Sequence, residues 1–374
     1  MSTFRWAKSL APICLCVISA SLVTPSNAKD WPMGRADATG TGATTDGLPD
    51  DLELLWKVEV DGLGFDAGPI IADGRVFCND HDGRVIAIDV TTGEEVWRRE
   101  IDTGFLATPS YRNGRLYTAD YEGVLRAMNA KDGSDIWEYN AGLEIDASPN
   151  FYEGNILFTS QDGSLYSVKE DGQLNWKYDT GDQLQCGATL AGELTFLGGC
   201  DAHLHVVNVN TGQKIGEPMP IDAPTGSTPT VVGSTVFVPT YAGEIFAFGM
   251  PGVEIQWRFH DTKLSDELKN SIAVADGLAV ATSRNKRVFA LDLKTGEVKW
   301  QHVLRKKSEA SPIIAGDSVI VAAADGRIIR YDLKTGEQTW MTEVKGSFIG
   351  SPAAADGKLV LTNDRGTIFC FGKK

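Results

Sequence analysis

The stretches AIDVTTGEEVW (87–97) and ALDLKTGEVKW (290–300) decide how this chain folds. In each, a short apolar run leads into an Asp, a Thr-Gly turn, and a tryptophan four residues after the glycine. Two partial copies, AMNAKDGSDIW (127–137) and RYDLKTGEQTW (330–340), have the same layout. A pattern that returns at a regular spacing indicates a repeat architecture.

Tryptophans recur along the chain about once in every 40 residues. The series is interrupted near Gly216 and otherwise consists of Trp56, Trp97, Trp137, Trp176, Trp257, Trp300 and Trp340. Between them lie apolar runs that are too short for helices, rich in β-branched and aromatic residues, and separated by glycine-containing turns. Repeats of this length with four short strands are typical of propeller blades. The sequence therefore predicts an all-β fold, an eight-bladed β-propeller of four-stranded antiparallel blades.

The first blade shows how a repeat divides into strands, which we name A to D in chain order. They are expected near 69–72, 75–79, 84–90 and 94–101. Asp73-Gly74, between A and B, is a pair that accepts the positive φ of a two-residue hairpin. Strand C carries an aliphatic residue at the same register in every repeat, and we expect these to be core residues: Val85, Leu125, Leu165, Leu204, Ile245, Val288, Ile328 and Ile368.

The two ends of the repeat series complement each other. LELLWKVEV (52–60) reads as a strand D with no A, B or C before it, while the last repeat stops without a strand D. Pairing the two closes the ring and removes exposed sheet edges. We therefore predict a single propeller domain over 52–374, with an extended segment at 29–51. Removal of residues 29–45 is expected to have only a mild effect on the stability of the protein.

The first 28 residues have the layout of a secretory signal peptide. Arg5 and Lys8 precede an apolar run over 9–23, and Ser26-Asn27-Ala28 supplies the small residues of a cleavage site. We expect residues 1–28 to be removed and the protein to be periplasmic or secreted. Neither Cys14 nor Cys16 lies in a lipoprotein cleavage box, so no lipid anchor is expected.

Four cysteines remain after this cleavage, and an oxidising compartment permits a disulfide. Cys186 should begin strand A of the fourth blade and Cys200 should follow strand B, at the same end of one hairpin. We predict that these two residues form a disulfide. Cys78 and Cys370 lie in different blades and should stay reduced.

The motif A-x-D-x-x-T-G-x-x-x-W, complete at 87–97 and 290–300, resembles the tryptophan-docking motif of the quinoprotein, or PQQ-like repeat, propellers. The resemblance implies that the seven repeated tryptophans are structural docking residues between blades. Dehydrogenases of this kind have longer chains and an adjacent Cys-Cys pair, which this sequence lacks. The chain is more similar to the non-enzymatic BamB-like members, which implies a scaffold without a cofactor. The alternative is a small oxidoreductase that uses pyrroloquinoline quinone with calcium.

Two further groups of residues suggest chemistry. Asp89, Asp292 and Asp332 recur before a Thr-Gly turn, where an Asp side chain bonds the backbone two residues on, so a turn role is favoured. Cys200, His203 and His205 offer metal ligands, but the two histidines align with ordinary exposed and packing positions. We therefore expect no metal and no catalytic residue.

Strand direction alternates, so the D-to-A and B-to-C connections share one face, which we call the connection face. The A-to-B and C-to-D turns share the other, the turn face. Varied loops on a rigid scaffold are the usual place for recognition. One equivalent position of the B-to-C connections follows no eightfold rule, and we expect this irregular ring to be a binding surface: His81, Tyr121, Gln161, Cys200, Tyr241, Arg284, Ala324 and Asp364.

One part of the connection face is rich in positive charge. This basic sector consists of Arg284, Lys286, Arg287, Arg305, Lys306 and Lys307. It is either a solvated loop cluster, partly neutralised by Glu309 and Asp266, or a patch that steers an acidic partner.

Overall charge limits the classes of partner. Fifty acidic against 35 basic residues give a net charge of −15, which repels nucleic acid and anionic headgroups. Apart from the short run at 9–23, no stretch approaches the length of a membrane-spanning helix. We expect a monomer that binds a protein or another component of the cell envelope.

Overall fold

In the computed structural model, which describes residues 30–250, 252–260 and 267–374, the repeats fold as eight antiparallel sheets arranged as blades. The predicted eight-bladed propeller is confirmed. The predicted signal peptide lies outside the described residues. Among the residues that the structure describes, none forms a helix with the length and apolar character of a membrane span.

The strands of each blade follow the predicted order. Strands A of blades 1 to 8 are Ile70–Ala72, Ser110–Arg112, Asn150–Tyr152, Thr189–Ala191, Thr230–Val232, Ala273–Ala275, Ile313–Ala315 and Ala353–Ala355. Strands B are Arg75–Asn79, Arg115–Ala119, Asn155–Ser160, Leu194–Gly198, Thr235–Pro239, Leu278–Thr282, Ser318–Ala322 and Lys358–Thr362. Strands C are Arg84–Asp89, Val124–Asn129, Ser164–Lys169, His203–Asn208, Glu244–Gly249, Arg287–Asp292, Arg327–Asp332 and Thr367–Gly372.

Strands D of blades 1 to 7 are Glu95–Glu100, Asp135–Asn140, Leu174–Asp179, Met219–Pro220, Glu254–His260, Val298–Val303 and Gln338–Glu343. The outer strand of blade 8 is Glu53–Glu59, which pairs antiparallel with Thr367–Gly372 and places Trp56 opposite Cys370. The N-terminal strand therefore closes the ring as predicted. A short strand, Ala43–Thr44, adds in parallel to Ile313–Ala315 of blade 7.

The interior of the blades is apolar. The eight aliphatic residues of the C strands are all fully buried, which confirms the register that the repeats predicted. The Asp residues before the Thr-Gly turns also have the expected role, since Asp89 Oδ1 accepts hydrogen bonds from the backbone N–H groups of Thr91 and Thr92, each at 2.9 Å.

Neighbouring blades are joined by the repeated tryptophans. The indole N–H of Trp56 donates to the carbonyl of Val90 at 3.1 Å, and that of Trp300 donates to Leu333 at 2.8 Å. At Gly93, where φ is +76°, a Cβ would lie 2.7 Å from the Trp56 ring, so only glycine allows this contact. The other tryptophans bond the next blade in the same way: Trp97, Trp137, Trp176, Trp257 and Trp340.

The junction between blades 4 and 5 lacks this arrangement. The outer strand of blade 4 is reduced to Met219–Pro220, and Gly216 is exposed. Val253 occupies the position equivalent to Gly93 and has φ of +50°, which is unusual for a β-branched residue. It packs with Met219 against the apolar core between the two blades instead of receiving a tryptophan ring.

The N-terminal segment, residues 30–46, lies in the central channel. It bonds the innermost strands one after another: Trp31 pairs with Ile71, and the carbonyls of Pro32, Ala38, Thr39, Thr41 and Gly42 accept from Tyr111, Leu190, Val231, Val274 and Ile314. Six of the eight blades thus bond this segment through the backbone of strand A, and blade 3 adds the side chain of Asn150, which donates to the carbonyl of Ala38 at 2.9 Å.

Two large side chains of this segment are buried. Trp31 is fully buried in the core, and Arg35 donates from Nη2 to the carbonyl of Ile272 at 2.7 Å and from Nη1 to that of Pro312 at 3.2 Å. Burial lowers the pKa of Arg35 to about 10. Removal of residues 29–45 is therefore expected to destabilise the fold, contrary to the mild effect that the sequence predicted.

Candidate functional site

The ring predicted from the B-to-C connections is built by one repeated contact. In every blade, the residue at that position donates its backbone N–H to a carbonyl of a D-to-A connection. The connection is the one that leads into strand A of that blade. The bond is 3.1 Å from Tyr121 to Gly104 and 2.9 Å from Gln161 to Glu144. The other six donors are His81, Cys200, Tyr241, Arg284, Ala324 and Asp364. The eight positions are therefore structurally equivalent, and their side chains differ because no shared contact fixes them.

A cavity of about 640 Å³ opens at the centre of the connection face. One equivalent residue of each D-to-A connection lines it: Asp66, Leu106, Asp146, Gln185, Gly226, Lys269, Glu309 and Ile349. Of the predicted ring, Gln161, Tyr241 and Arg284 also line the cavity. Deeper in the channel, the guanidinium of Arg35 bonds carbonyls three residues beyond Lys269 and Glu309, so the N-terminal segment forms the floor.

One half of the mouth is organised around a histidine. His81 Nε2 lies 3.0 Å from Asp66 Oδ2, and its Nδ1 lies 3.0 Å from the hydroxyl of Tyr121. A neutral imidazole that donates from Nε2 to the carboxylate accepts the tyrosine proton at Nδ1. The two rings also stack, with centroids 6.0 Å apart. His81 and Tyr121, both predicted from the sequence, are thus brought together with Asp66.

A pair of carboxyl groups lies beside these rings. Gln161 Nε2 donates to Glu144 Oε2 at 3.1 Å and to Asp146 Oδ2 at 2.8 Å. Burial first, and then the neighbouring Asp146, raises the pKa of Glu144 to about 7. Burial also raises the pKa of Asp146. We call Asp66, His81, Tyr121, Glu144, Asp146 and Gln161 the mouth cluster.

The mouth cluster contains no activated nucleophile. Burial, followed by the charges of Asp66, Glu144 and Asp146, raises the pKa of Tyr121, so its phenol stays protonated at neutral pH. Burial raises the pKa of Tyr241 to about 12, and its hydroxyl bonds Gln185 Oε1 at 3.3 Å. These groups are suited to hydrogen bonding and not to nucleophilic attack.

The basic sector is partly neutralised within the protein. Arg305 Nε lies 2.7 Å from Asp325 and its Nη2 lies 2.9 Å from Glu343. Arg284 pairs with Glu267 at 2.7 Å, and Lys307 pairs with Glu309. Arg287 bonds the neutral Gln301 instead. Three of the six cations, Arg284, Arg305 and Lys307, therefore have carboxylate partners. Glu309, which the sequence predicted to neutralise part of this sector, is the partner of Lys307.

The predicted disulfide between Cys186 and Cys200 is not shown, because both residues are free thiols in the structure. Cys186 Sγ donates to the carbonyl of Gly198 at 2.8 Å, so its sulfur is directed at the backbone of its own hairpin. Burial raises the pKa of Cys186 to about 12, which disfavours the thiolate that disulfide formation requires. Cys78 and Cys370 are buried free thiols in blades 1 and 8.

The histidines of blade 4 serve the structure of their strand. His205 is buried, with Nε2 2.8 Å from Asp201 Oδ2 and Nδ1 3.0 Å from the Tyr178 hydroxyl, so both ring nitrogens have partners. The His203 ring bonds the carbonyl of Asp201 at 2.7 Å. Within the described ranges, no group of three or more His, Cys, Asp and Glu side chains converges on a metal position.

The sequence prediction missed the D-to-A residues of the mouth, above all Asp66, Glu144 and Asp146. A signal was present, because most connections end in a small residue followed by Ser or Thr shortly before strand A, while the residue that precedes this pair is of seven types in the eight blades. Hydroxyls of the constant part bond between blades, as in Ser271 N–H to Ser311 Oγ at 3.1 Å. The variable residue beside them is therefore held at the mouth.

A family model described as outer membrane protein assembly factor BamB matches residues 49–186, 81–258 and 200–374. The chain belongs to this family. Its propeller is similar to the crystal structure of BamB from Moraxella catarrhalis, with a TM-score of 0.73 and 17% identity over 87% of this chain and 98% of that chain. No curated protein matches the sequence significantly.

Other solved structures share the architecture of the BamB family. Quinohemoprotein alcohol dehydrogenase from Comamonas testosteroni has a TM-score of 0.78 and 14% identity, over 93% of this chain and 82% of that chain. The computationally designed protein Ika8 has a TM-score of 0.76 and 14% identity, over 86% of this chain and all of that one (100%). An assembly factor, an enzyme and a designed protein thus share this fold, so the fold alone does not determine activity.

Proposed function

We propose that this protein is an exported, non-enzymatic scaffold that binds a protein partner of the cell envelope through its connection face. The observation that carries the proposal is the difference between the two faces. The turn face repeats the same hairpins and Asx turns, whereas the mouth of the connection face presents seven different residue types at eight equivalent positions of a rigid ring. A monomer without a lipid anchor, periplasmic or secreted, fits this role.

The residues of the mouth do not fit the cofactor of the alternative function. Pyrroloquinoline quinone is a polyanion, and the cavity already carries Asp66, Glu144, Asp146 and Glu309. Its two cations are Lys269 and Arg284, and Arg284 is bound to Glu267, so carboxyl groups outnumber cations and the lining is unfavourable for an anionic quinone. Within the described residues, no three His, Cys, Asp or Glu side chains converge on one position that could hold calcium. We therefore propose that the protein works without a cofactor.

Site-specific photo-crosslinking in the native cell tests this proposal. A benzophenone amino acid replaces Tyr121 or Gln161 on the connection face, and Glu153 or Lys214 on the turn face serves as a control. We expect one discrete adduct with an envelope protein from the first two positions and none from the controls.

Equal adducts from both faces, or none from the connection face, would contradict the proposal. The enzymatic alternative is tested separately, by adding pyrroloquinoline quinone and calcium to purified protein. Quinone absorbance that stays with the protein, together with dye reduction, would favour the oxidoreductase. We expect neither.

A further inference from the structure

Exposed apolar side chains flank the mouth cluster. Leu63 is 70% exposed and Leu143 is 53% exposed, and they occupy equivalent positions in the D-to-A connections of blades 1 and 3. Tyr121, 36% exposed, lies in blade 2 between them. A single exposed leucine is ordinary, but several around one cavity mark a contact surface.

These three residues form a continuous rim. The backbone N–H of Leu63 donates to Asp82 Oδ2 at 2.7 Å, next to His81, which stacks on Tyr121. The carbonyl of Leu143 lies against Gly123, in the same loop as Tyr121, and a Cβ there would meet that oxygen at 2.4 Å. The rim therefore lies in neighbouring loops of three adjacent blades, and the same loops carry Asp66 and Glu144, which line the cavity.

The side of the cavity beneath this rim is acidic. Asp66 pairs with the His81 ring, while Glu144 and Asp146 bond the neutral Gln161. Asp146 Oδ1 is buried and has no hydrogen-bond partner among the described residues. On this half of the mouth, the polar contacts of the carboxyl groups thus come from a histidine, from an amide and from the hydrogen bond between Glu144 and Asp146.

We propose that the rim of Leu63, Tyr121 and Leu143, together with Asp66, Glu144 and Asp146, binds a protein segment that presents a lysine or arginine flanked by apolar residues. The basic side chain enters the 640 Å³ cavity, and its apolar neighbours cover the leucines. A cation beside paired carboxyl groups favours their charged form and offsets their mutual repulsion. This inference rests on the proposed function and specifies the partner's chemistry.

Selection from a phage-displayed library of random nonapeptides tests the inference, with the full exported protein immobilised. We expect enriched peptides to share one Lys or Arg with Leu, Ile, Phe or Met beside it. Synthetic peptides with this consensus should bind E144Q/D146N at least tenfold more weakly than wild type, because the charged partner of the cation is lost. They should bind L63S/L143S about fivefold more weakly.

Two matched variants control for charge and for apolar exposure. E193Q/D317N removes the same two charges from exposed turns of the turn face, and I255S removes an exposed isoleucine from the start of an outer strand. Both should bind the consensus peptides as wild type does.

Failure to enrich a basic and apolar consensus would overturn the inference, as would consensus peptides that bind both mouth variants normally. Enrichment of acidic peptides whose binding requires Arg305 would also overturn the inference, although the binding surface would still be the connection face. Photo-crosslinking from Tyr121 or Gln161 does not depend on the charge of the partner. Adducts from these positions without a basic and apolar consensus would therefore refute this inference alone, whereas the absence of adducts would contradict the proposed function.

Discussion

Replacing Trp31 with alanine tests the most unexpected part of the fold, the N-terminal segment in the central channel. The Trp31 ring is fully buried, and its backbone exchanges two hydrogen bonds with Ile71, at 2.6 and 3.0 Å. The backbone bonds survive the substitution, so the loss is that of the ring. Truncating a buried aromatic side chain costs about 3–5 kcal/mol, and we expect W31A to lower the free energy of unfolding by this amount.

A conservative variant separates packing from hydrogen bonding. The indole N–H of Trp31 has no partner among the described residues, so W31F loses no hydrogen bond and should cost about 1 kcal/mol. The assay is urea unfolding followed by far-UV circular dichroism, with I215A, at an exposed residue of blade 4, as the control. We expect that control to stay within about 0.5 kcal/mol of wild type. A W31A variant as stable as I215A would show that the segment does not contribute to the folded core.

Three further predictions concern the ring, the mouth and the basic sector. Deleting residues 50–60 should destabilise the whole protein, because Thr367–Gly372 becomes an exposed edge; an unchanged melting temperature would contradict ring closure. The pKa of Glu144, about 7, lies above that of an unfolded glutamate, so its contribution to stability is fully present below about pH 4.5 and is lost as the pH rises through 7. E144Q should therefore reduce the fall in melting temperature between pH 5 and pH 8, and E193Q should not. Reversing Arg305, Lys306 and Lys307 to Glu should slow association with an acidic partner region more than dissociation, and the same reversal at Lys131, Lys169 and Lys214 on the turn face should not. Equal losses from both triple variants would assign the effect to net charge, and no loss from either would leave the basic sector as solvated surface.

The repeated parts of the molecule could be predicted from the sequence because one physical requirement recurs in each blade. Trp97 and Trp300 dock on the next blade, and Val85 and its equivalents fill the core. An ambiguous strand assignment in one repeat is therefore resolved by alignment with the others. The ring that includes His81, Tyr121 and Gln161 followed from the same register.

The parts that could not be predicted depend on contacts between distant residues. The segment WPMGRADATGTGAT (31–44) has no hydrophobic periodicity, and its place is set by bonds to strands up to about 270 residues away. The strength of the basic sector was overestimated, because Arg305 pairs with Asp325 in the next B-to-C connection and with Glu343 at the end of strand D of blade 7. The disulfide prediction considered chain position alone, whereas the direction of the Cys186 sulfur decides the pairing.

Hydrogen–deuterium exchange measured by mass spectrometry tests the binding role of the connection face most directly. The protein is compared alone and with the envelope protein captured by crosslinking at Tyr121 or Gln161. We predict that binding slows exchange in residues 61–68, 80–84 and 141–146, which include Leu63 and Leu143 of the rim and Asp66, His81, Glu144 and Asp146 of the mouth cluster. Exchange in the turns at 153–154 and 192–193 should be unchanged. Protection confined to those turns, or no protection at the mouth, would contradict the proposal that this propeller binds its partner through the connection face.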